Sequence, residues 1–487
     1  MAMDRQTVVI GGGITGLACA YRLKRLGASV TLLEASDRVG GIIRTTRRDG
    51  FLFEAGPQCP RFPRVIRELV RDIGLEDTFV RASSRARRYI LKGGQLYPAP
   101  LSPWALLGTR LIGLRDKARF VGEPFGHAKP PDSEESVADF VRRKFGVETL
   151  DYLVDPFLSA VFFSDPEDTG MESSLPSVTR WEREHGSVFR GAIKSRSSNG
   201  RRPTLADSTK SAHSSSSVRL NEALPPLGSF PAGLTALTDR LGEKLGSSLR
   251  LGVRVEGIDR NRGSGSVTPW LIRLEGEEEI ATESIVIAAP AYEAASLLQR
   301  AEPHLSSMLA AIPYSPLVVV CSAYDRTQVR HSLNGFGFVV PRREGLRTIS
   351  CTWNSSLFPD RAPAGKVLIT SLARPFAKDS LLEMPEEAIA NLVEGEVSAV
   401  LGISGSPVDR MVWKHPKALP HFQIGHAQRV AEIHRDLHSL PGLRLAGNYL
   451  EGRSIGDCVN FAFGVAEDIG GDRRARAVNL GDEVSLK

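Results

Sequence analysis

Thr7-Val-Val-Ile-Gly-Gly-Gly-Ile-Thr-Gly16 is the stretch on which the fold turns. Thr7 to Ile10 reads as a short buried strand, and Ile14 to Leu26, with apolar residues at Leu17, Ala20, Leu23 and Leu26, as a helix. Ser29 to Glu34 reads as a second strand, so the chain opens as a βαβ unit. The glycines between strand and helix each answer a physical need. Gly11 permits a tight turn, Gly13 lets the backbone approach a pyrophosphate, and Gly16 lets helix and strand pack closely. With Gly12, Ile14 and Thr15 they place a diphosphate at a helix N-terminus, where free N–H groups and the dipole favour negative charge. Glu34 closes the second strand twenty-one residues after Gly13, where its carboxylate, with Ala35 beside it, is set to accept hydrogen bonds from a ribose. A glycine-rich turn that binds nothing is the plainer reading, but it leaves the acid at the strand end without a reason.

Composition bounds what such a unit belongs to. A chain of 487 residues is too long for one core and predicts two or three domains. Apolar residues at 41% and charged residues at 24% fit a globular protein, and 46 glycines with 30 prolines exclude a coiled coil. The net charge of +6 is too mild to argue for nucleic acid; it is compatible with an anionic membrane surface and fits best an ordinary solvated one. Cys19, Cys59, Cys321, Cys351 and Cys458 form no C-x-x-C pair, so neither disulfides nor a metal site is expected, and the compartment is read as reducing and cytoplasmic. The polar start from Met1 to Thr7 predicts no signal peptide, and no charge-free apolar run is long enough to span a bilayer. Membrane contact, if made, is expected to be peripheral, on the inner face of the cytoplasmic membrane.

Further along, Pro63 to Ile73 reads as a helix with its proline in the first turn, and Arg88 to Tyr97 as a hairpin turning at Gly93-Gly94. Ser102 to Phe163 has helical periodicity, and Ser195 to Ser217, rich in Ser, Arg and Lys, reads as a mobile loop. Strands are expected at Leu251 to Ile258, Trp270 to Leu274, Ser284 to Ala289, Leu317 to Cys321, Gly337 to Val340 and Val367 to Thr370, and a helix at Met384 to Leu401. The end returns to a strand at Leu443 to Gly447 and a helix at Asp457 to Ile469. These readings predict a discontinuous dinucleotide-binding domain from 1–87, 228–300 and 408–475. A helical insert is expected over 88–227, a β-rich substrate domain over 301–407, and a frayed tail over 476–487.

Arg38-Val-Gly-Gly41, just beyond the acidic strand, resembles the second pyrophosphate-contacting turn of the flavin amine oxidase superfamily, which implies FAD rather than NAD. Within that superfamily, Phe53-Glu-Ala-Gly-Pro57, Arg88-Tyr-Ile-Leu-Lys-Gly-Gly94, Leu175-Pro-Ser177, Trp181-Glu-Arg-Glu-His-Gly186, Gly335-Phe-Gly-Phe-Val-Val-Pro341, Trp413, Ala418-Leu-Pro420 and Gly425-His426 resemble the oxygen-dependent protoporphyrinogen and coproporphyrinogen III oxidases. The resemblance spans roughly residues 5 to 470. It implies an α/β fold with a Rossmann-like FAD-binding domain, a mixed-sheet substrate domain and a membrane-associating helical insert. Gly40, Gly41, Ile42, Gly56, Pro57, Gln58, Cys59, Val255, Trp413, Gly447, Ser454, Ile455 and Gly456 match its cofactor-binding positions. Arg88 matches the arginine proposed to pair with a propionate; without the resemblance it is one of the surface cations Arg85, Arg87 and Arg88. Phe336, Val339 and Leu372 match pocket-lining positions, with Thr352 on a neighbouring strand, although periodicity alone makes them core. Ala160 stands where the family has a glycine whose carbonyl is assigned a role beside the reacting carbon, and Arg374-Pro375 replaces a usual glycine pair.

The chemistry so implied is FAD-mediated six-electron oxidation of protoporphyrinogen IX, or of coproporphyrinogen III, by hydride transfer to the flavin, with oxygen reduced to hydrogen peroxide. No catalytic His, Ser or Cys is expected. Implied partners are the porphyrinogen, oxygen, a second copy of the chain and a ferrochelatase that receives the product. In the insert, Trp104, Leu106, Leu107, Leu111 and Ile112 with Arg110, Arg115 and Lys117 fit an interfacial face, or equally a helix packed on the protein's own core. Another flavoenzyme, an amine oxidase or carotenoid desaturase, and a non-catalytic carrier on the same fold are the rival readings.

Overall fold

In the computed structural model, which describes residues 6–83, 86–126, 133–198, 225–261, 268–375 and 381–484, the glycine-rich turn leaves the middle of a five-stranded parallel sheet. The strand order is Leu443–Leu445, Ser284–Ile287, Thr7–Ile10, Val30–Leu33 and Leu249–Arg250. Thr7–Ile10 and Ser284–Ile287 are buried at every position, as strands covered on both faces must be. Val9, Leu32 and Val286 face one layer, which holds the helices Ile14–Arg25, Arg64–Asp72, Thr235–Leu245 and the start of Ile455–Val484. Val8, Ile10, Leu33, Ile285 and Ile287 face the other. That layer holds the antiparallel strands Val255–Arg260 and Trp270–Leu274 and the helices Ala291–Leu298, Pro303–Ala310 and His426–His438.

A seven-stranded mixed sheet forms the second body, in the order Asp409–Pro420, Tyr314–Asp325, Lys366–Ala373, Thr348–Thr352, Gly337–Val339, Arg88–Lys92 and Gln95–Pro98. Its back is covered by the helix Glu386–Leu401, whose Ile389, Ala390 and Val393 meet Val318, Val320 and Ala373. The expected hairpin at Gly93-Gly94 is present, but it belongs to this sheet and not to the helical insert, because Arg88–Lys92 pairs in parallel with Gly337–Val339. Asp409–Pro420, placed with the dinucleotide domain from sequence, is likewise an edge strand of the substrate sheet, where its prolines need no ladder partner. In the reverse sense, Pro303–Ala310 leaves the expected substrate domain, since Leu305 and Leu309 bury against the parallel sheet.

The insert gathers Val137–Lys144, Asp155–Phe162 and Pro176–His185 around Phe140, Phe145, Leu158 and Met171. Of the residues that fitted an interfacial face or the protein's own core equally, Leu111 and Ile112 are buried with Ile90 and Tyr152, whereas Trp104 is 83% exposed, as is the nearby Leu114. The Ser-rich loop begins inside the helix Val188–Ser198, and from 199 to 217 it lies outside the described residues. The expected frayed tail is helical to Val484, continuing through good helix formers such as Arg474, Ala475 and Ala477.

Candidate active site

Three adjacent parallel strands end together. The Ala288 N–H donates to the Ile10 carbonyl at 2.8 Å and the Ala446 N–H to Ile287 at 2.9 Å, which aligns Gly11, Ala288 and Gly447 on one edge. Thr7–Ile10 is flanked by the next strand in sequence on one side and by Ser284–Ile287 on the other. This is the switch point at which open α/β sheets take their ligands. Gly11 has φ +108°, and a Cβ on Gly16 would collide with the Gly11 carbonyl. A Cβ on Gly13 would meet no protein atom within 4 Å, so the space in front of Gly13 is left open.

The Arg38–Gly41 turn folds onto this face, with the Gly40 N–H donating to the Gly12 carbonyl at 2.8 Å. The Arg38 guanidinium clamps the turn by donating to the carbonyls of Gly41 at 2.6 Å and Val39 at 3.1 Å. Ile42 is left 47% exposed beside it. The Glu34 carboxylate accepts from Gly12 N–H at 2.5 Å and from Ser36 N–H at 2.9 Å. Its oxygen toward Gly12 keeps a second lone pair for a ribose hydroxyl. The Val253 N–H donates to the Glu34 carbonyl at 2.9 Å, and Val255, two residues on, is half-buried at the start of the strand Val255–Arg260. Across the sheet, Ser454 caps the closing helix: its hydroxyl accepts from Asp457 N–H at 3.1 Å, and the Asp457 carboxylate accepts from Ser454 N–H at 3.1 Å. Two helix N-termini thus converge near an open glycine, and the residues present fit a dinucleotide. Gly11 to Gly16 with Arg38 to Ile42 would hold its diphosphate, Glu34 and Ala35 its ribose, and Gly447 with Ser454, Ile455 and Gly456 its far end.

Gly56 leads from this site toward the second sheet, packed against the Ile42 carbonyl. After Pro57, the Gln58 amide donates to Glu54 at 2.9 Å and Gly56 at 2.8 Å and accepts from Asn354 at 2.9 Å. Cys59 follows, in a cluster with Phe336, Leu357 and Phe358. The Arg88 guanidinium lies over the Phe336 ring at 4.8 Å.

Sheet register then gathers the remaining candidates. Trp413 and Leu372 both pair with Val319, Leu372 also pairs with Ser350, Ser350 with Val339, and Val339 with Ile90, forming one cross-strand row. Two residues along each strand, Met411, Cys321, Thr370, Thr352, Gly337 and Arg88 form the next row. Because side chains alternate with period two, both rows share one face, opposite the helix Glu386–Leu401. Arg88, Thr352, Val339, Leu372 and Trp413 therefore share a face, with Phe336 against the guanidinium of Arg88. Ala160 lies half-buried in the helix Asp155–Phe162, which crosses the sheet; the Arg374 guanidinium reaches the same helix, donating to the Ser159 hydroxyl at 3.3 Å.

Arg88 has no carboxylate partner among the described residues, and Arg61 has its pKa lowered by burial and by the Arg88 charge. Burial pushes the thiols of Cys19, Cys59, Cys321 and Cys351 up to about 12 and that of Cys458 to about 11, so none is a thiolate at neutral pH. Among the described residues no group of His, Cys, Asp and Glu is placed to hold a metal. Sequence reasoning missed Phe163, which ends the insert helix in the left-handed region at φ +53° and packs against the same buried cluster as Leu372 and Trp413. It also missed Arg453, for which the signal was a cation set directly before a helix cap.

The family model for flavin containing amine oxidoreductases matches residues 14–470. A chloroplastic protoporphyrinogen oxidase of Nicotiana tabacum is 31% identical over 96% of this chain and 86% of its own length. The coproporphyrinogen III oxidase of Bacillus subtilis (strain 168) is 28% identical over 94% and 96%. Among solved structures, a protein from Exiguobacterium sp. 255-15 that carries the name protoporphyrinogen oxidase superposes with a TM-score of 0.77 at 24% identity, covering 96% of this chain and 99% of its own. A putrescine oxidase bound to putrescine shares the fold at a TM-score of 0.66 and 15% identity, over 96% and 98%. The glycine turn, the acid at the second strand and the full-length match have one explanation: the chain belongs to the flavin-containing amine oxidoreductase family and is an FAD-dependent oxidoreductase.

Proposed function

We propose that this flavoenzyme oxidises a porphyrinogen to the porphyrin in heme synthesis, with protoporphyrinogen IX as substrate. The observation that carries the reading is the wall on which Val339, Leu372 and Trp413 supply an apolar surface and Arg88, with no carboxylate partner among the described residues, supplies a cation at one edge. A macrocycle with apolar faces and peripheral propionates matches such a wall. Bound FAD supplies a two-electron acceptor for hydride, and the protein's residues orient the macrocycle and exclude water. Arg88 fixes a propionate through its guanidinium edge while its face rests on Phe336. Phe163 and Trp413 close the apolar side. Three rounds of two-electron oxidation complete the porphyrin, each returning its electrons to oxygen as hydrogen peroxide.

A second reading, coproporphyrinogen III, is favoured by one observation. Arg61 lies close enough to Arg88 to feel its charge, so a second cation stands near the Arg88 end of the wall. Oxygen electrode traces read against porphyrin fluorescence test the reading: three oxygen molecules consumed per porphyrin formed is the expected ratio, and oxygen uptake without porphyrin fluorescence contradicts it.

The same reading includes peripheral membrane contact, a homodimer and transfer of product to a ferrochelatase. Leu101, Trp104, Leu114 and Phe125 are 73% to 83% exposed on the insert near exposed Arg110 and Arg115, which supports the membrane contact. Among the described residues no helix is long and apolar enough to cross a bilayer.

A further inference from the structure

Arg453 stands immediately before Ser454, the cap of the closing helix, where the helix dipole disfavours a cation. Its guanidinium lies over two rings, 4.1 Å from the centroid of Phe162 and 4.2 Å from that of Phe422. With two rings packed on the guanidinium, its N–H edge is the part suited to a polar partner. One N–H donates to the Ser164 hydroxyl at 3.1 Å. Among the described residues no carboxylate pairs with it. Asp457, whose charge reaches Arg453, is held by the Ser454 N–H and hydroxyl, and Asp165 pairs with Arg342. Burial pushes the Arg453 pKa down to about 9, so the group remains cationic at neutral pH. His426, stacked on Phe422 at 4.2 Å, is buried and neutral, and adds no opposing charge. A planar fork packed on two rings, without a carboxylate partner among the described residues and beside a helix N-terminus, is shaped for a planar anion.

Its neighbours say which anion. Phe162 and Ser164 belong to the segment that follows Ala160, at the end of the helix lying across the substrate sheet; among the described residues its ring and hydrogen-bond partners, Phe162, Phe422 and Ser164, all lie outside the glycine-rich and Arg38 turns. We infer that Arg453 binds a carboxylate of the substrate, a second anionic contact on a different wall of the pocket from Arg88. This rests on the porphyrinogen reading above. An apolar macrocycle edge would leave the guanidinium buried without a counter-charge, whereas a propionate meets both its N–H edge and the field of the closing helix.

The test is equilibrium binding of coproporphyrin III and of its tetramethyl ester to the FAD-loaded enzyme, followed by fluorescence quenching, in wild type, R453L and R453K, with the flavin midpoint potential measured alongside. The expected result is a loss of about tenfold or more in affinity for the acid in R453L, none for the ester, a smaller loss in R453K, and an unmoved potential. An acid-to-ester ratio unchanged in R453L overturns the inference. So does a shifted potential with an unchanged ratio, which assigns the guanidinium to the flavin. If R453L does not fold, R453K carries the test through a several-fold loss for the acid alone. A wild-type enzyme that binds neither compound contradicts the porphyrinogen reading itself, which separates the two failures.

Discussion

Replacing Gly13 and Gly16 separately by alanine should divide two effects that the glycine motif combines. At Gly13 the backbone is extended, with φ −70° and ψ 176°, and a methyl group would meet no protein atom within 4 Å. The only cost to the protein is a poorer helix cap, about 0.5–1 kcal/mol. The methyl group would instead stand where the cofactor diphosphate approaches the amides. Loss of one charge-assisted hydrogen bond, about 1.5–3 kcal/mol, weakens FAD binding by at least about tenfold. At Gly16 the methyl group would collide with the Gly11 carbonyl and press on the Ala288 side chain, so strand and helix must separate, at about 1–3 kcal/mol or more. Thermal denaturation of the deflavinated protein and titration with FAD read the two terms apart. Gly13→Ala should melt within a few degrees of wild type yet bind FAD weakly, and Gly16→Ala should lower the melting temperature of the deflavinated protein itself. A Gly13→Ala protein with wild-type FAD affinity, or a Gly16→Ala protein as stable as wild type, would refute the reasoning.

Arg88→Leu should raise KM for the porphyrinogen about tenfold or more with kcat little changed, because the lost contact serves binding, and Arg88→Lys should recover part of it; steady-state kinetics decide. His426, 2% exposed, has its pKa pushed down by burial to about 4, against about 6.5 when unfolded, so its contribution is full above pH 6.5 and is lost as pH falls through 4. Between pH 7 and pH 4 wild type should therefore lose up to about 3 kcal/mol more stability than His426→Phe, which keeps a ring on Phe422 without a titrating group. Melting curves across pH check this, and parallel curves contradict it. Trp104→Ser, at a position 83% exposed, should leave activity in solution unchanged and weaken sedimentation with vesicles of anionic lipid.

The opening βαβ unit was legible because its signals are local: a β-branched run, glycines whose roles differ by position, and an acid at the end of the next strand. In the structure Gly11 takes a positive φ, a Cβ on Gly13 would meet no protein atom within 4 Å, and one on Gly16 would collide with the Gly11 carbonyl. Pairing between distant segments was not legible. Arg88–Lys92 reads locally as a hairpin arm, and nothing in it announces that Gly337–Val339 is its parallel neighbour. Asp409–Pro420 lacks clean alternation and carries prolines, so its twelve residues did not read as a strand; its place at a sheet edge tolerates both. Once the register is known, Arg88, Thr352, Val339, Leu372 and Trp413, drawn from five strands, fall on one face. The resemblance gave the residues but not the rows. Arg453 escaped because its meaning depends on Phe162 and Phe422, which lie far from it in sequence.

Anaerobic addition of protoporphyrinogen IX and of coproporphyrinogen III to the purified FAD-loaded enzyme is the most direct test of the central claim. The account predicts that at least one of them bleaches the visible flavin band and that porphyrin fluorescence grows in when air is admitted, the faster compound naming the substrate. A flavin that bleaches with neither, while remaining reducible by dithionite, would contradict it.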